Sequence, residues 1–187
     1  MPSNGYTGCS SGDYARRHNP WVNFTNVSPA ANLTFEAFPG DFARLPTVAF
    51  VVPNLCNDMH DCGVATGDGW LRAHIDPYVQ WSKSHDSLLV LTFDESDGSS
   101  ATNQITTILV GPMILPGDYG HRIDHYSVLR ALEDLYAVPP TGNAASASSL
   151  GSIFIAPTPT PAPTRIAIPP PEVSRGPILV PFRTPRS

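Results

Sequence analysis

Lysine is nearly absent from this chain: Lys83 is the only one, and arginine makes up the rest of its 11 basic residues, set against 16 acidic ones. The net charge of -5 provides no basic footprint of the kind a phosphate backbone demands. Arg16-Arg17 and the scattered arginines of the tail are too sparse to build one, which argues against nucleic acid as a partner. Long apolar runs are missing too, because Pro, Asp, Asn or Gly interrupts each before membrane-spanning length. The chain opens on polar residues (Asn4, Thr7, Ser10, Asp13), so no signal-peptide apolar region is expected in it. Cysteine is scarce and odd in number, at Cys9, Cys56 and Cys62. Cys56 and Cys62 enclose a loop short enough for a local disulfide in an oxidising compartment; the other reading is three free thiols. At 187 residues there is room for one core and not for two full α/β domains.

Against these absences one segment stands out. Leu88-Leu89-Val90-Leu91-Thr92-Phe93 runs without interruption into Asp94-Glu95-Ser96-Asp97-Gly98. Continuous apolar strands belong most often to parallel α/β sheets covered on both faces, and ligands in such sheets bind beyond the carboxyl ends of the strands. Asp94 and Glu95 would fall there. Two adjacent carboxylates repel each other, and a hard divalent cation offsets that repulsion. Mg²⁺, Ca²⁺, Mn²⁺ and Fe all suit such oxygens, so the metal's identity is not specified. Asp97 either joins the same site or shapes the turn before Gly98; the bland reading of the whole stretch is a solvated acidic turn.

Residues 1 to 45 read as loop, rich in Asn, Gly, Pro and aromatics. Asn23-Phe24-Thr25, Asn26-Val27-Ser28 and Asn32-Leu33-Thr34 match a glycosylation pattern that is short and common by chance. A strand is expected over Thr47 to Val52, followed by a polar, cysteine-bounded loop to Gly69. Trp70 to Ser82 has helical spacing, with Pro77 expected to kink or divide it. Ile105 to Val110 is a further strand, and the polar link from Ser96 to Gln104 implies a tight return that lays it antiparallel on a mostly parallel sheet. His125 to Tyr136 is the clearest helix, with Asp124 as N-cap and Pro139-Pro140 ending it. From residue 151 a proline-rich tail is expected to be extended, although Ile153 to Ile155 and Ile178 to Val180 carry enough apolar surface to pack.

Several histidines have company that suggests chemistry. His18 lies in Arg16-Arg17-His18-Asn19-Pro20-Trp21, where arginines and an imidazole together can hold an oxyanion or phosphate; the alternative is a surface or interface histidine. His60 sits between Asp58 and Asp61 inside the cysteine-bounded loop, and a disulfide there would pre-organise it. His121 and His125 flank the start of the last helix, with a usable metal-ligand spacing around Asp124, although His125 can equally cap or pack against the strand end. No nucleophile elbow, P-loop, dinucleotide fingerprint or zinc-finger spacing appears, and no serine or threonine sits in an activating context.

Five segments in order resemble the C-terminal half of the phosphoesterase family of acid phosphatases and non-specific phospholipases C, in the alkaline phosphatase superfamily. They are Tyr14-Ala15-Arg16-Arg17-His18-Asn19-Pro20-Trp21; Val52-Pro53-Asn54-Leu55-Cys56-Asn57-Asp58-Met59-His60-Asp61; Gly67-Asp68-Gly69-Trp70-Leu71; Leu91-Thr92-Phe93-Asp94-Glu95; and Asp124-His125-Tyr126-Ser127-Val128-Leu129-Arg130 with Leu135-Tyr136. The likeness runs from about Tyr14 to Gly142.

The resemblance implies an α/β fold, a partial alkaline-phosphatase-like sandwich over residues 1–150 with a central mostly parallel sheet flanked by helices. It implies that Asp94 and Glu95 ligate a divalent metal ion and that His18 and His60 line a phosphate site. The activity implied is hydrolysis of a phosphate monoester or a phospholipid-type phosphodiester, in an extracellular or periplasmic setting. The family's early Glu-Asn metal pair and its Ser or Thr nucleophile have no counterpart before His18. The expectation is therefore a chain lacking the N-terminal half, weak or inactive alone and completed by that missing half. The alternative is a non-catalytic anion-binding or interaction remnant. A sulfatase-like hydrolase is disfavoured, since no cysteine has the required context.

Overall fold

In a computed structural model, the structure describes residues 1–99 and 101–155, which belong to a single unit, Met1–Ile155. Its first 45 residues are held by side chains more than by regular elements. β1 (Ser10–Ser11) and β2 (Tyr14–Ala15) pair antiparallel around Gly12, whose φ of 52° is one that glycine adopts without a Cβ penalty. Short 3₁₀ turns follow, tied by a buried polar knot. The Asn19 amide donates to the Tyr14 hydroxyl and to Asn32 Oδ1, the Trp21 indole donates to the same Asn32 oxygen, and Asn32 Nδ2 donates to the Tyr6 carbonyl. Asn32 is only 1% exposed, so its amide is committed to the fold and is no glycosylation acceptor in this state.

Helix α1 (Val64–His74) and helix α2 (Asp76–Ser82) are divided at Ile75. Pro77 is the reason: lacking an N–H, it cannot continue α1, yet it is well placed in the first turn of α2. An aromatic ladder packs the preceding loop on these helices, with Phe35 against Trp70 and Phe42 against both Tyr78 and Trp81. Next come β3 (Leu89–Thr92) and β4 (Thr107–Val110), paired antiparallel from Leu89↔Val110 to Thr92↔Thr107. Helix α3 (His125–Leu135) starts at a capping box, in which Asp124 accepts from Ser127 N while the Ser127 hydroxyl accepts from Asp124 N. The small core sits where α3 meets the following turns: Ala131, Leu150 and Ile153 are buried, with Leu109, Ile123 and Phe154 against them.

The expected central, mostly parallel sheet flanked by helices is not what forms. Among the described residues there are two separate two-stranded sheets, both antiparallel. Apolar continuity suggested a strand covered on both faces, but all of β3 is only partly buried, and apolar composition alone does not distinguish parallel from antiparallel pairing. The return to β4 carries no crossover helix, so the partner comes back antiparallel, as the short polar link implied. Thr47–Val52 forms no strand either. Among the described residues no strand pairs with it, and Phe50, Val51 and Val52 are left exposed. Helix α1 begins at Val64, not at Trp70, and takes in Gly67 and Gly69 despite their low helix propensity, a tertiary override explained below. Gly151–Ile153 forms a 3₁₀ turn with Ile153 buried, and Ile114 bridges Phe154. The rest of the proline-rich stretch, including Ile178 to Val180, lies outside the described residues.

Because the core is so small, individual members should weigh heavily. Leu150→Ala is expected to lower unfolding free energy by about 2–5 kcal/mol, whereas Ile108→Ala, at a half-exposed position, should cost well under half as much. Urea unfolding of the two variants checks the order; equal losses would contradict the placement of the core.

Candidate functional site

Residues Asn54 to Cys62 make a loop clamped at several points. Cys56 and Cys62 are joined by a disulfide, while Cys9 is free and exposed. Leu55 N donates to the Asp13 carbonyl and Asn54 Nδ2 to the Asp13 carboxylate, fastening the loop to the β1–β2 turn. Inside the loop, Asn54 Oδ1 accepts from Asn57 N, Asp58 N donates to the Asn54 carbonyl and Asp61 N to that of Leu55. Met59 has a φ of 75°, a left-handed conformation that costs a non-glycine residue about 1 kcal/mol or more.

This backbone brings two distant segments together. Asp58 Oδ2 lies 2.7 Å from His18 Nδ1, and Asp58 Oδ1 accepts from the His60 backbone N at 2.9 Å, closing an Asx turn over Met59. The two imidazoles meet edge to face with centroids 5.0 Å apart. Asp61 Oδ1 is 2.6 Å from His60 Nδ1, and an Arg17 guanidinium nitrogen is 3.4 Å from His60 Nε2. Carboxylates only accept, so both Nδ1 atoms carry hydrogen; His60 Nε2 then offers its lone pair to Arg17. His18 and Asp58 are mostly enclosed, with side chains 19% and 12% exposed, while His60 and Asp61 are open at 45% and 55%. A cation, two imidazoles and two carboxylates thus gather together, with Arg17, His60 and Asp61 exposed. Such a set can grip an oxyanion and move a proton.

Arg16 does something different from its neighbour. It donates to Asn23 Oδ1 and to the Thr7 and Val22 carbonyls, a structural strap that leaves Arg17 as the exposed cation. Sequence reasoning treated the two arginines alike and linked Asp58 to His60 alone; its hold on the His18 ring came from a contact 40 residues away that no local pattern reveals.

The acidic stretch has other partners. Asp94 and Glu95 are both exposed just past β3, and the Asp94 backbone carbonyl accepts from His125 Nε2 at 2.8 Å. His125 therefore pins the start of α3 to the end of β3. His121 makes an edge contact with Tyr119. Asp97 accepts from the Ser99 hydroxyl and backbone N, and those bonds, the hydroxyl first, hold its carboxyl below the ordinary range; it shapes the turn. Among the described residues, no hydrogen bond or ion pair joins Asp94, Glu95 or Asp97 to the histidine cluster, and no group of three or more His, Cys, Asp or Glu is placed to hold a metal ion. Asp94 and Glu95 have the right oxygen chemistry for a hard cation but supply only part of the six to eight ligands that calcium, for example, takes.

Helix α1 abuts the site loop without a spacer. A Cβ at Gly67 would lie 2.5 Å from Met59 Cγ and Cε and 3.0 Å from the Asn57 carbonyl oxygen. Close approach, and not helix propensity, accounts for glycine here. Gly67→Ala should therefore cost about 1–3 kcal/mol and broaden the His60 amide resonance, whereas Gly69→Ala, which meets open space, should be neutral or stabilising. Thermal melts with amide NMR spectra of both variants check this contrast.

Comparison with known proteins adds the following. A model of the phosphoesterase family matches residues 1–139. The chain is similar to a phosphatidylinositol-3-phosphatase of Mycobacterium tuberculosis, with 49% identity over 156 residues, covering 82% of this chain and 52% of that protein. It is similar to an acid phosphatase of Aspergillus fumigatus at 34% identity over 142 residues, covering 70% and 32%. A phosphate-repressible acid phosphatase of Penicillium chrysogenum shares 32% identity over 159 residues, covering 76% and 39%. The chain thus spans about half the length of the mycobacterial relative and about a third of the fungal ones. No solved structure matches it.

Proposed function

The chain belongs to the phosphoesterase family, and from that membership we propose that Arg17, His18 and His60 form the phosphate-handling side of a phosphate-ester hydrolase. The observation that carries the reading is the meeting of the His18 and His60 segments on one carboxylate, Asp58, beside an exposed guanidinium. Arg17 and a protonated imidazole balance the charge of the phosphoryl oxygens. With His18 Nδ1 engaged on Asp58, Nε2 is the nitrogen left to serve the substrate. As the ester P–O bond breaks and water is consumed overall, His18 Nε2 gives its proton to the leaving oxygen. The substrate class is a phosphate monoester or a phospholipid-type phosphodiester, and the mycobacterial relative's name puts 3-phosphorylated inositol lipids among the monoesters to test.

Asp94 and Glu95 remain in the proposal as one corner of a divalent-cation site. The described residues do not complete that site, and no step above runs through it. The remaining length of the relatives is the natural source of further ligands and of a nucleophile, so the isolated chain is proposed to be weakly active. No helix among the described residues is long and apolar enough to cross a membrane. The Cys56–Cys62 bridge supports an extracellular or periplasmic setting.

A second reading is an anion binder without turnover. It is favoured by the partners of the two imidazoles, which among the described residues are Asp58, Asp61 and Arg17 and include no hydroxyl or thiol.

Binding of inorganic phosphate, followed by calorimetry, and turnover of a chromogenic phosphate ester, a choline-headgroup lipid and a 3-phosphoinositide separate the two readings. His18→Ala is expected to lower any turnover by about 10²- to 10⁴-fold, and Arg17→Ala to weaken phosphate binding by about tenfold or more. Binding without turnover supports the second reading; turnover unchanged in a His18→Ala, His60→Ala double variant would remove the site from the reaction.

A further inference from the structure

The geometry points to Asp58 as a positioning residue that sets which nitrogen of His18 faces the substrate and, through the same carboxylate, fixes the place of His60. This inference deepens the reading of the site as a phosphate centre and rests on it for its functional meaning. Its geometric content stands separately. Asp58 is among the more enclosed members of the cluster, and its two oxygens serve different loops: Oδ2 takes the His18 ring, and Oδ1 takes the His60 backbone across Met59.

An imidazole free in water places its hydrogen on either nitrogen. Against a carboxylate acceptor 2.7 Å from Nδ1, the hydrogen must sit on Nδ1, and the Nε2 lone pair faces outward. That form is the one His18 needs to return to after giving its Nε2 proton to a leaving oxygen. The charge on Asp58 also stabilises the imidazolium before transfer. Asp61 holds Nδ1 of His60 in the same way, but its side chain is more than half exposed and it binds only its own neighbour. Among the described residues Asp58 is the carboxylate that both histidine segments share, beside the direct edge contact of their rings.

Asp58→Asn separates the role from mere support. The substitution keeps the volume and keeps an oxygen for the His60 backbone N, so the Asx turn survives. Its amide NH₂ then faces His18 Nδ1, which must become an acceptor, and the hydrogen moves to Nε2; a carboxylate-to-amide exchange behind a histidine reverses the tautomer in this way. Long-range ¹H–¹⁵N correlation spectra of the full chain, recorded at about pH 8.5 where imidazoles are neutral, read the tautomer directly.

In the unmodified protein His18 should be in the Nδ1–H form. Asp58→Asn should turn it to Nε2–H, while Asp61→Asn should turn His60 alone. Inorganic phosphate, monitored by ³¹P NMR, should bind Asp58→Asn about tenfold more weakly or worse. A wild-type spectrum with His18 in the Nε2–H form overturns the inference without need of any variant, and so does an unchanged His18 tautomer in Asp58→Asn. If the wild-type chain binds no phosphate while the tautomers respond as stated, Asp58 keeps its positioning role and the phosphate reading fails instead.

Discussion

Asp58 carries one negative charge on two oxygens, and each oxygen closes a different part of the chain. One side faces the segment after β2, where His18 follows a strand of two residues; the other faces the clamped loop that carries His60. Neither segment lies within a sheet or long helix of its own, so the carboxylate adds to the hold that the β1–β2 turn and α1 give from outside. The surrounding clamps serve that contact. The disulfide shortens the loop, Asp13 anchors its base, Met59 takes up an unfavourable φ so that the Asx turn can form, and Gly67 lets α1 come up behind. Local strain of this kind persists only where surrounding contacts over-determine it.

The scarcity of regular structure accounts for what could and could not be read beforehand. Helix α3 was legible because its signals are local: an N-cap three residues ahead of its partner, an apolar stripe and a proline stop. The division of α1 from α2 at Pro77 was legible for the same reason, and so was the antiparallel return to β4. The start of α1 was not, since Gly67 and Gly69 argue against helix; the approach of Met59 explains Gly67, while Gly69 meets open space. Thr47–Val52 has strand composition and no strand to pair with, and pairing is a non-local fact. The parallel sheet was inferred from apolar continuity, which is silent about strand direction and here belongs to a strand only partly buried.

The candidate site divides along the same line. That His18 and His60 each have polar neighbours is written in adjacent residues. That they share a carboxylate is not, because the contact spans 40 residues. Asp94 and Glu95 were the most conspicuous pair in the sequence, and the structure leaves them exposed with only the Asp94 carbonyl engaged, by His125. Together with the small core and the many half-exposed apolar side chains of β4 and α3, this fits a chain that spans about half the length of its mycobacterial relative. Family membership rests on the match over residues 1–139, and the proposed reading of the site draws on that membership together with the geometry around Asp58.

The absence of a spacer between α1 and Met59 has a mechanical side. Helix α1 rests directly on the turn that holds His60, so bulk added at Gly67 must displace the Met59 side chain or the Asn57 carbonyl. A side chain at Gly67 would thus be felt first at Met59, inside the Asx turn that fixes the place of His60.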